Sequence, residues 1–202
     1  MTLEAKWYST IFGAYYFSGA AMAMMAFAQI FIVHLRWNNV LENTITVEHD
    51  HDIAKLSFAF IVFWAYMAFS QYMLIWYANI PEETVWFAER WVGSWKTVSL
   101  VLVFGQFAIP FLILITRGAK RSSRMMMMGG FWLLIMHYVD MYWLVMPAFN
   151  HQGAHVSWMD LSTLLGIGGI FVWFFWRNFA AHALIPVNDP RLEASIEFVN
   201  RY

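Results

Sequence analysis

The chain has no cysteine. Disulfides, iron–sulfur ligation and c-type haem attachment by its own residues are therefore excluded. Charge is also scarce. Only 12% of residues are Asp, Glu, Lys or Arg, about half the roughly 25% of an average soluble domain. The formal net charge of −1 offers nothing to attract nucleic acid. No internal repeat and no disordered low-complexity segment is visible, and no connector is long enough to hold a soluble domain. No cleaved signal peptide is expected, because the hydrophobic run after residues 1–6 is far too long for one.

What the chain has is hydrophobic bulk. Of its 202 residues, 61% are hydrophobic and 20% aromatic. Apolar stretches fall at about 9–35, 57–80, 97–116, 125–148 and 159–184. Each approaches or exceeds the roughly 20 residues a helix needs to cross a bilayer. The sequence thus predicts an all-α integral membrane protein of five transmembrane helices, forming one helical membrane domain over 1–202. Connectors are expected at 36–56, 81–96, 117–124 and 149–158, with a polar tail from Pro186.

Orientation follows from Lys and Arg. Nine fall on one side: Arg36, Lys55, Arg117, Lys120, Arg121, Arg124, Arg177, Arg191 and Arg201. Three fall on the other: Lys6, Arg90 and Lys96. The first side is predicted cytoplasmic, with the N-terminus outside and the C-terminus inside. Trp7, Tyr8, Trp76, Tyr77, Trp95, Trp143 and Trp158 would then form the outer aromatic belt. Small-xxx-small pairs, Gly19 with Ala23 and Ser162 with Gly166, suit close helix packing, as do Gly168 and Gly169. Such residues are also common in any membrane helix.

Polar groups inside apolar spans are the candidates for function, since they cost energy unless partnered. The stretch 56–81 carries Gln71 near its middle, with Ser70, Asn79 and several tyrosines. Asp140 lies about fifteen residues, or roughly 22 Å, from the cytoplasmic end of the fourth span. His137 is on the same helix face. Together they read as a proton relay or a quinol-facing base, against a structural Asp–His or Asp–Tyr hydrogen bond. Gln71 and Gln106, at similar depth, and Tyr66, Tyr72 and Tyr138 are candidates to line a hydrated path with Asp140, or to pair between helices.

At the cytoplasmic mouth, His49, Asp50, His51 and Asp52, with Glu48 and Lys55, form a dense ionisable patch. It suits a proton-collecting antenna with Lys55 at the entrance. The alternatives are a weakly supported metal site and a solvated loop in which Asp52 caps the second span. Gln29 and His34 read as core or interfacial residues. A His34–His182 haem pair is a minor reading, because haem needs facing histidines at matched depth. The methionine run 125–128 reads as helix and not as a copper site.

Three segments carry a family resemblance: WYSTIFGAYYFSG at 7–19, KLSFAFIVFWAYMAFSQYMLIWYANIPEETVWF at 55–87 and LIPVNDPRLEASIEFVN at 184–200. They resemble a membrane subunit of bacterial alternative complex III, a quinol:cytochrome c (or high-potential acceptor) oxidoreductase. That subunit belongs to the polysulfide-reductase-like (NrfD-type) membrane-anchor superfamily. The resemblance runs from Trp7 to Asn200 and covers the C-terminal half of family members, which have a further helical half ahead of it. A split subunit or a partial chain is therefore expected. Ala5-Lys6 stands where many relatives have Pro-His.

The resemblance implies a multi-pass protein of the bacterial inner membrane, beside a homologous quinol-oxidising subunit. It places haem c and iron–sulfur clusters in outer-side partner subunits. The implied role is a non-haem subunit that supports quinol oxidation, with a quinone such as menaquinone nearby, and that conducts protons. No cofactor or metal is expected on this chain itself. A purely structural scaffold is the second reading. A secondary transporter is the third, disfavoured because no inverted repeat or interrupted helix pair is visible.

Overall fold

The computed structural model describes residues 3–4, 7–41, 44–151, 153–186 and 188–199. Ala5, Lys6, Asn200 and Arg201, used above, lie outside these. Among the described residues there are helices and no strands. Five helices are long and apolar enough to cross a membrane, at Phe12–Trp37, Val47–Ala78, Trp95–Leu114, Ser123–Ala148 and Trp158–Ala180. The chain divides into two compact units, Met1–Ala154 and His155–Tyr202.

In the first unit, α1 (Phe12–Trp37) packs along both α2 (Val47–Ala78) and α7 (Ser123–Val145). Small residues bring α1 and α7 together. A methyl group on Gly130 would lie 2.9 Å from the Ala26 carbonyl oxygen and 2.8 Å from Ile30 Cγ1. One on Gly19 would lie 3.1 Å from the His137 ring. Met22, Ala26, Ile61, Leu114 and Leu133 form the core between the helices.

α2 starts ten residues earlier than the apolar stretch at 57. Thr46 is its extended N-cap, and His49 Nδ1 accepts the Thr46 N–H at 3.1 Å. Glu48 and Asp50 sit in the first turn, where the helix dipole favours negative charge. Both have cations: Asp50 pairs with Arg36 of α1, and Glu48 with Arg121 at 2.7 Å. Neutralised charges let the segment pack as helix. The expectation of a solvated loop capped by Asp52 is thereby corrected, since Asp52 lies inside the helix and pairs with Lys55 at 2.6 Å. The longer helix also moves Gln71 from the middle toward the C-terminal end. α2 stops at Asn79, whose left-handed backbone (φ 49°) forms the cap.

The 81–96 connector contains a helix of its own, α3 (Pro81–Glu89). Pro81 sits in its first turn, where no N–H is needed, and Glu82 and Glu83 follow at the positive dipole end. Its Trp86 is buried and stacks on Trp7 at 4.6 Å.

The third long helix is not regular. α4 (Trp95–Leu102) passes into a π-helical segment, Val103–Ala108, and then into α5 (Ile109–Leu114). Pro110 explains the irregularity: it has no N–H, and its ring crowds the carbonyl four residues back, at Gln106. The short α6 (Arg117–Lys120) leads into α7, which ends in a 3₁₀ turn, Met146–Ala148.

The second unit holds α8 (Trp158–Ala180) and the short α9 (Leu192–Ile196). Ser157 caps α8, and Asp160 Oδ2 accepts the Ser157 N–H at 2.8 Å. None of the residues of α8 is buried. A methyl group on Gly166, Gly168 or Gly169 meets nothing within 4 Å.

Candidate functional site

Asp140, on the fifth turn of α7, is completely buried. Both carboxylate oxygens are engaged from other helices. The Tyr15 hydroxyl of α1 donates to Oδ1, and the Trp64 indole of α2 donates to Oδ2 at 3.1 Å. The rings of Tyr15 and Trp64 lie 5.8 Å apart. Gln106, fully buried on the π-helical segment, joins the same network. With its amide oriented to satisfy both ends, its nitrogen donates to the Met136 carbonyl at 3.0 Å and its oxygen accepts from Trp64 Nε1 at 3.2 Å. The indole N–H is thus shared between Asp140 and Gln106. Three helices thus meet at one carboxylate, and the π-helical segment joins through Trp64.

His137 shares the helix face with Asp140 by spacing, yet both Asp140 oxygens are bonded to Tyr15 and Trp64. His137 Nδ1 is buried without a hydrogen-bond partner, and its ring packs against Gly19.

Tyr15 and Trp64 do more than hold Asp140. Both also line an open, mostly apolar groove of about 890 Å³ between α2, α3 and α4. A group that hydrogen-bonds a buried carboxylate and also faces a cavity can pass a proton between them, because a phenol both donates and accepts. The remaining polar lining is sparse. Gln71 is 4% exposed, and its Nε2 has no partner. Tyr66 and Tyr72 line the groove as well, and both are exposed. The structure therefore brings Gln71, Tyr66 and Tyr72 to the groove and Gln106 to Asp140. Tyr138 is not part of the groove lining.

Arg90, just after α3, is the groove's cation. It is 1% exposed. Its guanidinium donates to the carbonyls of Trp86 (2.9 Å), Leu144 (3.0 Å) and Trp143 (3.3 Å), and pairs with Glu4 at 3.3 Å. It also lies 3.5 Å above the Trp86 ring. Burial pushes its pKa down to about 10, opposed by the Glu4 carboxylate. It therefore remains a cation at neutral pH. Ser99 Oγ contacts the Arg90 carbonyl at 3.0 Å and accepts the Trp143 indole N–H at 2.8 Å.

The ionisable patch at 48–55 is built differently from an open antenna. Glu48, Asp50 and His51 are buried. Asp50 is held by Arg36, which also donates to Ser123 Oγ. His49 serves the helix cap. From Asp50 to Trp64 the chain is continuous helix, so the patch and the Asp140 network lie about 20 Å apart along α2. Gln29 is buried and donates to Ser57 Oγ at 2.5 Å, a packing role between α1 and α2. In the first unit His34 contacts Asn38, and in the second His182 Nδ1 contacts the Asn178 carbonyl. No group of three His, Cys, Asp or Glu among the described residues is placed to hold a metal ion.

Tyr15, Trp64 and Arg90 are the site residues that sequence reasoning missed. Tyrosine and tryptophan are abundant here, so identity alone marks neither. Arg90 carried a signal: it is a rare cation set among aromatic residues, Trp86, Phe87, Trp91 and Trp95. No family model and no curated protein sequence matches the chain.

Proposed function

We propose that the chain is a non-haem, multi-pass membrane subunit of a quinol:electron-acceptor oxidoreductase, and that its own chemistry is proton handling at Tyr15 and Asp140. The carrying observation is the bond from Tyr15 to a fully buried carboxylate, with Tyr15 also lining the apolar groove. Acid–base exchange with a hydrophobic quinol needs such a pairing: an apolar cavity for the ring and tail, and a hydroxyl–carboxylate pair to take the proton. The family resemblance supports the same reading. Iron–sulfur clusters and c-type haem reside in partner subunits, since this chain has no cysteine to hold them. The spans cross the bacterial inner membrane with the N-terminus outside and the 117–124 loop in the cytoplasm, on the nine-to-three charge bias.

An affinity-tagged chain, extracted in mild detergent from its native membrane, is expected to co-purify with c-type haem, iron–sulfur chains and quinol-oxidising activity. Stripped of partners, it is expected to show no haem absorption. A haem band that persists in the isolated chain and is lost in His34→Ala refutes the assignment of redox centres. Purification without any redox partner refutes the assembly.

A scaffold reading draws on one specific observation: both oxygens of Asp140 have donors, as a purely structural cross-link requires. The Asp140 variants described in the Discussion separate the two.

A further inference from the structure

The start of α2 and the short α6 gather charge that the Asp140 site does not use. His51 is 4% exposed, and the charges of Lys55, Arg117, Lys120 and Arg121 all act on it. Carboxylates answer part of this. Asp52 holds Lys55 at 2.6 Å and Glu48 holds Arg121 at 2.7 Å. Among the described residues, Lys120 has no carboxylate within ion-pair distance. Its Nζ lies instead 4.9 Å from the centre of the Phe58 ring. Two buried nitrogens in the cluster have no hydrogen-bond partner, His51 Nδ1 and Arg121 Nη1. The guanidinium nitrogen is a donor, and the imidazole nitrogen is one in the matching tautomer. Surplus positive charge with unsatisfied buried nitrogens is the complement of an oxyanion.

We propose that this cluster binds the phosphate of an anionic phospholipid headgroup. The inference rests on the membrane-spanning reading, because it places the cluster where α2 leaves the apolar layer. A phosphate would accept from Lys120, Arg121 and His51 while Arg117 adds attraction. Burial and the neighbouring Lys55 charge hold the Lys120 ammonium below its ordinary value, and an anion there relieves both. A lipid is favoured over free phosphate by the adjoining surface. Leu56, next to Lys55, and Ile115, two residues before Arg117, are both exposed at 50% and 57%. Acyl chains cover such side chains, and inorganic phosphate does not.

The test is native mass spectrometry of the full chain, released from nanodiscs of phosphatidylcholine with or without phosphatidylglycerol. Wild type is expected to keep phosphatidylglycerol under activation that strips phosphatidylcholine. Lys120→Gln with Arg117→Gln is expected to lose retention roughly ten- to thirtyfold, at about 1 kcal/mol for each cation removed near the headgroup. Lys120→Arg should retain it. Arg177→Gln with Arg191→Gln, which removes equal charge from the second unit, should also retain it. Thermal unfolding of each variant confirms that the fold is kept, and Lys120→Gln alone serves if the double variant unfolds. Equal retention of the two lipids, or unchanged retention in the double variant, overturns the proposal. Displacement of the lipid by millimolar inorganic phosphate overturns the lipid assignment in favour of a free anion. Release of the chain from membranes by alkaline carbonate would instead defeat the membrane reading, a separate failure.

Discussion

Replacing Asp140 by Asn removes an ionisable proton with minimal change of shape, and the hydrogen-bond geometry says what it costs. The Trp64 indole can only donate. The oxygen of the new amide must therefore turn toward Trp64, and its NH₂ toward Tyr15. The Tyr15 hydroxyl can reverse and accept, so no buried group is stranded. The expected loss of stability is about 1–2 kcal/mol, that of two charge-assisted bonds becoming neutral. Asp140→Leu is harsher. It leaves the Tyr15 hydroxyl without its partner, costing about 1–3 kcal/mol. Trp64 suffers less, because Gln106 stays within 3.2 Å of its N–H. Tyr15→Phe is the mirror arm, leaving Asp140 with the indole but without a route to the groove. Thermal unfolding in detergent and the yield of assembled complex read the structural side. Quinol turnover and proton release read the chemistry. Asp140→Asn and Tyr15→Phe should assemble, yet lower turnover by about 10²–10⁴-fold, the usual range for a general acid–base step. If Asp140→Asn assembles with wild-type turnover and proton release, the carboxylate is a cross-link and the scaffold reading stands.

The other predictions concern packing, charge and topology. Arg90→Leu strands three backbone carbonyls and Glu4, so a loss of about 3–5 kcal/mol is expected in denaturant titration; a neutral result would contradict the buried geometry. Because burial holds Arg90 down at about 10, below its ordinary value, the unfolded state keeps a proton that the folded state has lost above that pH. Arg90 therefore contributes no slope at neutral pH and a rise of stability with pH above about 10, an alkaline component that Arg90→Leu should abolish in unfolding curves. Gly130→Val forces α1 from α7 at the Ala26 carbonyl, with an expected cost of about 1–3 kcal/mol, whereas Gly166→Ala meets open space and should match wild type in the same melts. A cysteine at Ser122, unique in a chain without others, should resist an impermeant thiol reagent in intact cells; ready labelling would invert the topology.

Hydropathy by itself determined the five long apolar helices, because the length of an apolar run is a local property and water or lipid reads it directly. It also marked Asp140, since a carboxylate inside such a run needs a partner wherever the helix packs. It misjudged the start of α2, because the charges at 48–52 look solvated until Arg36 and Arg121 arrive from elsewhere in the chain. It passed over α3, whose buried Trp86 packs on Trp7 and Trp143 from elsewhere in the chain, contacts that its own nine residues do not announce. The π-helical segment was signalled only by Pro110, and a proline alone does not say which way Gln106 will turn. The partners of Asp140 lie 125 and 76 residues away. Many tyrosines and tryptophans in this chain have the chemistry to serve. Tertiary packing alone decided that Tyr15 and Trp64 do, because a hydrogen bond depends on position within a few tenths of an ångström, and three helices must meet before that position exists.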